Sequence, residues 1–317
     1  MEMRSAWIKW ARAVELQRIL GRGIREFAVE DSHEYVRCDN AQDADDPLIR
    51  IHWRLKIKKQ FPERWSVLIG DILTNLRAAL DHTFWAAAVM HTGQPAKPTQ
   101  VQFPITTRAS SFAIAEQKLR TLVAPDVWAL IEAMQPFHGG DQAHTAPLEV
   151  LRWLSNIDKH RFVHVVGRNT IDLDLTMIRS ETPLEVVDEW RHEGQVEGDN
   201  AVVMRLKLKR PRNSARSIAD VIPTFAYFPS LQISDEPVEF RTLASAMEVM
   251  TNDVLKVIGH VTDILGLPFP DSDSFELGEE HDAIAPEYGG DIFTFREHDG
   301  TIHRFNLAAG ELDQRND

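Results

Sequence analysis

The sequence predicts an α+β fold: a bundle of about four long helices, an antiparallel β-sheet inserted between helices, and a β-hairpin at the C-terminal end. Two observations lead to this prediction. Apolar residues recur every three or four positions in several long segments, and apolar and polar residues alternate through much of the chain between residues 162 and 233. We expect residues 1–268 to form the bundle with its β insertion, and residues 269–317 to form an acidic linker, the hairpin and a tail.

The helices are predicted from apolar residues at helical spacing. Trp7, Trp10 and Val14 indicate the first helix, and Pro62 can begin the second because proline suits a first helical turn. The apolar face of the second helix runs from Trp65 to Phe84. The predicted helices span residues 5–30, 65–90, 110–122, 125–134, 147–159 and 240–265.

The strands are predicted from a period of two. In residues 49–58 five apolar residues alternate with arginine, histidine and lysine, which is the clearest strand pattern in the chain. Asp299-Gly300 is a favoured tight turn and predicts a hairpin over residues 291–307. The other predicted strands span residues 162–166, 171–177, 184–190, 202–209 and 224–233.

Composition narrows the class of protein. The chain has 317 residues, is 43% hydrophobic and 26% charged, and carries a formal net charge of −13, so strong overall basicity is excluded. The single cysteine, Cys38, excludes an internal disulfide and fits a reducing compartment. No apolar stretch has the length of a membrane span, and the N-terminus has no apolar signal-peptide core. We therefore expect a cytoplasmic protein that is not associated with a membrane.

Four polar residues interrupt the apolar second helix: Asn75, Arg77, Asp81 and His82. Arg77 and Asp81 are four positions apart and can form an ion pair on one helix face. His82 follows Arg77 by five positions, which rotates it by ~140° around the helix axis. One helix therefore cannot easily aim both side chains at one point. Two copies of the helix that met across a two-fold axis could bring Arg77 and His82 together, and we expect a homodimer on this basis.

An arginine and a histidine brought together in this way could cleave RNA without a metal ion. Histidine would transfer the proton, arginine would stabilise the charged transition state, and the 2′-hydroxyl of RNA would be the nucleophile.

The segment from Arg77 to Phe84 resembles the R-x4-H-x-Y pattern of the HEPN superfamily, with Phe84 at the tyrosine position. Its members are four-helix bundles, and many are dimeric ribonucleases in toxin–antitoxin, abortive-infection and CRISPR systems. The resemblance implies that Arg77 and His82 are a catalytic pair in phage defence or stress response. The wider pattern NLRAALDH, FPI, MQPF and LSNIDKHR is similar to a group of uncharacterised bacterial proteins and implies no established activity.

A second polar cluster ends the helix at residues 147–159. Asn156, Asp158, Lys159 and His160 have a structural explanation, because basic side chains complement the negative end of a helix dipole. In the functional interpretation, His160 or Lys159 lies close to His82 in the bundle and forms one polar pocket with it. Asp81, His82, Asp158, His160 and His164 are also acceptable metal ligands, so a metal site is an open alternative. His160 and His164 straddle the predicted change from helix to strand and the HExxH motif is absent, so we predict no metal and no cofactor.

Basic residues concentrate on two predicted strands in an otherwise acidic chain. They form either the solvated face of a half-buried sheet or, if the two strands are neighbours, a surface for RNA phosphates. The predicted RNA-binding residues are Arg50, Arg54, Lys56, Lys58, Arg205, Lys207 and Lys209.

Two hypotheses about function result. The first is an endoribonuclease of the HEPN-like type, with Arg77, Asp81, His82 and His160 at the catalytic site. The second is a non-enzymatic interaction or ligand-binding protein, in which both polar clusters are structural ion-pair networks.

Overall fold

The computed structural model describes residues 3–40, 43, 45–170, 177–179, 184–196, 198–210, 220–222, 225–270, 292–296, 302–306 and 311–315. The chain divides into two compact units. Unit 1 comprises Met1–Arg22, Pro62–Val165 and Ser230–Pro286, and unit 2 comprises Gly23–Phe61, Val166–Pro229 and Glu287–Asp317. Helices and antiparallel strands are both present, which confirms the predicted α+β class.

The described part of the chain contains six α-helices, two of which are short. They are α1 (Arg4–Val29), α2 (Arg64–Thr92), α3 (Ala109–Leu119), α4 (Pro125–Ala133), α5 (Pro147–Asp158) and α6 (Leu243–Ile264). No helix in this part has the length and hydropathy that crossing a bilayer requires.

The strands follow the helices in three blocks along the chain. They are β1 (His33–Asp39), β2 (Leu48–Ile57), β3 (Val165–Thr170), β4 (Met177–Arg179), β5 (Glu185–Arg191), β6 (Gly194–Gln195), β7 (Ala201–Lys209), β8 (Asp220–Ile222), β9 (Ala226–Asp235), β10 (Val238–Thr242), β11 (Ile292–Arg296), β12 (Ile302–Asn306) and β13 (Glu311–Arg315).

The observed elements differ from the predicted ones at particular places. The sequence pattern did not identify β1. The last predicted helix began at residue 240, whereas residues 238–242 form β10 and α6 begins at Leu243. The Thr242 side chain accepts a hydrogen bond from the Ser245 amide (3.2 Å) and so caps the helix at this point. The predicted strand over residues 171–177 and the predicted linker lie almost entirely outside the described residues.

Helix α2 lies at the centre of unit 1. It contacts α5 and α6, and α6 also contacts α4 and α5. The apolar face of α2 is buried as predicted, and Leu68 on that face is half-buried. Gln17 interrupts the apolar pattern of α1. Its side-chain oxygen accepts a hydrogen bond from the Thr251 hydroxyl of α6 (2.8 Å), which gives this polar side chain a partner between the two helices.

In unit 2, four antiparallel strands form a sheet of order β1-β2-β7-β5. The residues of β2 alternate in burial, with Ile49, Ile51, Trp53 and Leu55 in an apolar cluster and the basic residues on the other face. This confirms the two faces predicted from the period of two.

The short pairings complete the strand topology. Residues 230–235 of β9 pair with β10 in unit 1, and β3 pairs with β6 and β4 with β8 in unit 2. At the C-terminal end, β11 pairs with β12 as the predicted hairpin requires, and β13 adds a third strand. The predicted Asp299-Gly300 turn lies outside the described residues.

Candidate functional site: a cavity between α2, α3 and α5

The two polar clusters predicted from sequence line the same cavity in unit 1, which has a volume of about 1200 Å³. Arg77 and Asp81 lie on its α2 side, and Asn156, Asp158 and Lys159 lie on its α5 side. Helix α3 and the chain between residues 95 and 106 complete the walls.

The predicted histidines occupy other positions. Among the described residues that line the cavity, neither His82 nor His160 is present. His160 is exposed, and His82 is half-buried with a buried Nδ1 atom that has no hydrogen-bond partner in the described part of the chain. The structure thus brings Arg77 and Asp81 to the second cluster and leaves the two histidines outside the cavity.

Arg77 and Asp81 form the ion pair that their spacing predicts, and together they hold the backbone of Phe103. Arg77 Nη2 lies 3.0 Å from Asp81 Oδ1 and donates a hydrogen bond to the Phe103 carbonyl (2.8 Å). The Phe103 amide donates to Asp81 Oδ1 (2.9 Å). The backbone amide and carbonyl of Phe103 are therefore both hydrogen-bonded to side chains of α2, in the way that a neighbouring strand would bond them.

Gln135 holds the next residues of the same extended segment. Its Oε1 accepts a hydrogen bond from the Thr106 amide (3.0 Å), and its Nε2 donates to the Pro104 carbonyl (2.9 Å). Gln135 is buried, so these bonds replace the water that the backbone groups have lost. The patterns NLRAALDH, FPI and MQPF thus contact one another, and their shared role is to fix one wall of the cavity.

The Asp81 carboxyl is partly withdrawn from water in this arrangement. Burial raises its pKa above the ordinary value, although Arg77 and the Phe103 amide act in the opposite direction.

Asp158 lies at the boundary with a second, smaller cavity of about 390 Å³, which Asp71, Arg161 and Phe162 also line. A Cβ atom at Gly70 would stand 2.4 Å from Asp158 Oδ1, so glycine is what lets this carboxylate approach α2. Burial and the neighbouring Asp71 both raise the pKa of Asp158. No group of three or more side chains suited to a metal ion occurs among the described residues.

Two further α5 residues contribute to the cavity wall. Ser155 is 8% exposed, and its hydroxyl is buried without a hydrogen-bond partner in the described part of the chain. Arg152 is held by two bonds to the buried Glu149, one of them from Nε to Oε2 at 2.6 Å. Sequence reasoning missed Ser155, because no local pattern distinguishes a serine that is paired from one that is not.

In unit 2, the strands that carry the predicted RNA-binding residues are neighbours, as the phosphate-binding interpretation requires. Arg50 stands opposite Lys207, and His52 stands opposite Arg205. Burial and then the charges of Arg54 and Arg205 lower the pKa of His52, so the protonated form of this histidine is disfavoured on the basic face.

Each of the seven basic residues nevertheless has a partner within the chain. Arg54 donates to the Asn200 carbonyl (3.1 Å), and Arg205 stacks over the Trp190 ring. The ion pairs on this face are Arg50–Asp46, Lys56–Glu34, Lys58–Asp31, Lys58–Glu34, Lys207–Asp188 and Lys209–Glu185. Acidic residues thus form ion pairs with five of the seven basic residues, which favours a solvated face over a phosphate-binding surface.

No family model matches the chain, and it has no match among curated proteins or solved structures.

Proposed function

We propose that this chain is a non-enzymatic binding protein whose ligand is a small molecule held in the unit 1 cavity. The observation that carries this proposal is the cavity itself, which has a volume of about 1200 Å³ and is lined by both apolar and charged side chains. The Ser155 hydroxyl in its wall is buried and has no hydrogen-bond partner among the described residues. Buried polar groups in proteins are nearly always hydrogen-bonded, and an unpaired one costs about 1–3 kcal/mol. Rotation of the Ser155 side chain toward the cavity would let a polar atom of a bound ligand satisfy this hydroxyl.

The remaining polar residues of the cavity support binding rather than catalysis. Arg77 and Asp81 are engaged with the Phe103 backbone, so their hydrogen bonds organise the wall. The volume of about 1200 Å³ lies slightly above the roughly 300–1,000 Å³ of typical ligand pockets, so a small molecule would fill only part of it.

The proposal can be tested with a compound collection that covers neutral, cationic and anionic small molecules. Binding would be followed as the rise in melting temperature, since a ligand at 100 times its Kd stabilises the folded state by about 2.7 kcal/mol. Ala115 lines the cavity, whereas Ala113, on the same helix, is exposed and lies outside it. We expect Ala115→Trp to abolish the ligand-induced rise and the matched Ala113→Trp to preserve it.

The variant Ser155→Ala provides a second test of the binding proposal. It should leave the free protein at least as stable as wild type, because it removes an unpaired buried hydroxyl, and it should weaken ligand binding. The proposal fails if no compound of any charge class stabilises the protein, or if the two tryptophan variants bind alike.

A second candidate function is cleavage of RNA by a homodimer, as the resemblance to the HEPN superfamily implies. The observation that favours it is the uncommitted Nδ1 of His82. Arg77 and His82 would act as a pair across the dimer, with His160 as a further proton carrier and the unit 2 basic residues contacting phosphates.

The test is incubation of the purified protein with labelled RNAs in EDTA. His82→Ala should abolish cleavage, and His91→Ala should not, because His91 is an exposed residue near the end of the same helix. RNA left equally intact by wild type and His82→Ala would refute this candidate.

A further inference from the structure

We infer that the ligand of the unit 1 cavity is an amphiphilic organic anion, with a phosphate or carboxylate group on an apolar body. This inference rests on the proposed binding function and adds the chemical class of the ligand.

The lysines of the chain carry the inference. All ten lie in described residues, and seven of them have an ion pair or a side-chain hydrogen bond there. These seven are Lys9, Lys56, Lys58, Lys59, Lys207, Lys209 and Lys256. The other three, Lys97, Lys118 and Lys159, make no such contact within the described part of the chain, and all three line the cavity.

This distribution is notable because acidic partners are abundant. The chain carries 48 acidic and 35 basic residues, so a lysine with neither an ion pair nor a side-chain hydrogen bond among the described residues is the exception. Three such lysines come from three separate places: the chain after α2, the end of α3 and the end of α5. Because all three lysines line one cavity, they produce a local positive charge in an acidic protein, and this charge would attract and hold an anion.

The carboxylates of the cavity do not neutralise these lysines. Asp81 is bonded to Arg77 and to the Phe103 amide. Asp158 lies against Gly70 at the boundary with the second cavity. Rotated toward the cavity, the Ser155 hydroxyl would donate to an oxygen of the same anion, which would give this buried group its partner.

Part of the cavity wall is apolar. Ile114 is 57% exposed, although it is a large aliphatic residue, and Leu119, Leu122 and Ile105 also line the cavity. An exposed apolar surface beside charged residues is typical of a site for a ligand that has both an apolar part and a charged part. An inorganic anion would leave this wall in water, so the ligand needs an apolar body.

The experiment compares four probes by isothermal titration calorimetry: octyl phosphate, octanoate, octylammonium and inorganic phosphate, with the amphiphiles below the concentration at which they form micelles. We expect octyl phosphate and octanoate to bind, octylammonium not to bind, and inorganic phosphate to bind more weakly than octyl phosphate. Added salt should weaken the binding of both amphiphilic anions.

Two matched triple variants identify the site. Lys97→Gln, Lys118→Gln and Lys159→Gln together should weaken octyl phosphate binding by at least about tenfold, since each exposed charge contributes a few-fold in affinity. Lys56→Gln, Lys207→Gln and Lys256→Gln change the net charge equally, and their combination should bind within about twofold of wild type. In a separate variant, Ile114→Ser should weaken octyl phosphate binding and leave inorganic phosphate unaffected.

The outcomes separate this inference from the binding function on which it rests. If neutral or cationic compounds bind in the cavity and amphiphilic anions do not, the ligand class is wrong and the binding function stands. Equal affinities of the two triple variants for octyl phosphate would also overturn the ligand class. If no compound of any charge binds, both proposals fail.

Discussion

Replacement of Arg77 by alanine tests whether the contact of Arg77 and Asp81 with Phe103 is a structural element of unit 1. The substitution removes the hydrogen bond from Nη2 to the Phe103 carbonyl and leaves Asp81 without its cation. A hydrogen bond to a charged group is worth roughly 1.5–3 kcal/mol, and loss of one partner of a fully buried pair costs about 3–5 kcal/mol. The side chains of Arg77 and Asp81 are 21% and 27% exposed, so solvent screening reduces the second figure.

We therefore expect Arg77→Ala to destabilise the protein by about 2–3 kcal/mol. For a unit of about 180 residues this corresponds to a fall of about 5–10 °C in Tm. Differential scanning calorimetry measures the fall, and urea denaturation gives the change in the free energy of unfolding.

Arg120→Ala is the matched control. Arg120 forms an ion pair with Glu116 at the same spacing of four, but the two side chains are 62% and 35% exposed. This pair should contribute no more than about 0.5 kcal/mol. A double-mutant cycle between Arg77→Ala and Asp81→Ala should give a coupling energy of about 1–2 kcal/mol. The reasoning is refuted if Arg77→Ala lowers Tm by no more than Arg120→Ala does.

Two more predictions concern neighbouring residues. The folded-state pKa of Asp158 is raised above its ordinary 3.8, so its stabilising contribution is fully present below that pH and is lost as pH rises through the folded-state pKa. Asp158→Asn should therefore gain stability relative to wild type as the pH of urea denaturation rises from 3 to 7, and a difference that does not vary with pH would contradict the assignment. Gln135→Leu should leave the Thr106 amide and the Pro104 carbonyl unpaired, lowering stability by about 2–3 kcal/mol and speeding hydrogen exchange in residues 101–106. Unchanged exchange at Thr106 would show that Gln135 does not hold this segment.

Features that depend on neighbours along the chain could be predicted from the amino-acid sequence. The α+β class, the positions of most helices and the two faces of β2 follow from the period of apolar residues, which the backbone geometry of helices and strands sets. The Arg77–Asp81 ion pair follows in the same way, because residues four apart in a helix are adjacent. The separation of Arg77 and His82 around the helix is likewise a local property, and among the described residues Arg77 lines the cavity whereas His82 does not.

The tertiary structure decided what each of these groups contacts. Phe103 lies 26 positions from Arg77, and no periodicity connects them, so their hydrogen bond was not predictable. The acidic partners of five of the seven basic residues come from β1, β5 and the loops, and the strand pattern could not identify them.

The three unpaired lysines show the same limit most clearly. Lys97, Lys118 and Lys159 look like any other surface lysines in the sequence. Only the packing reveals that they line one cavity and that no described carboxylate pairs with them. Charge pairing and cavity formation depend on where distant segments are placed in space, whereas helical and strand periods depend on the covalent chain alone.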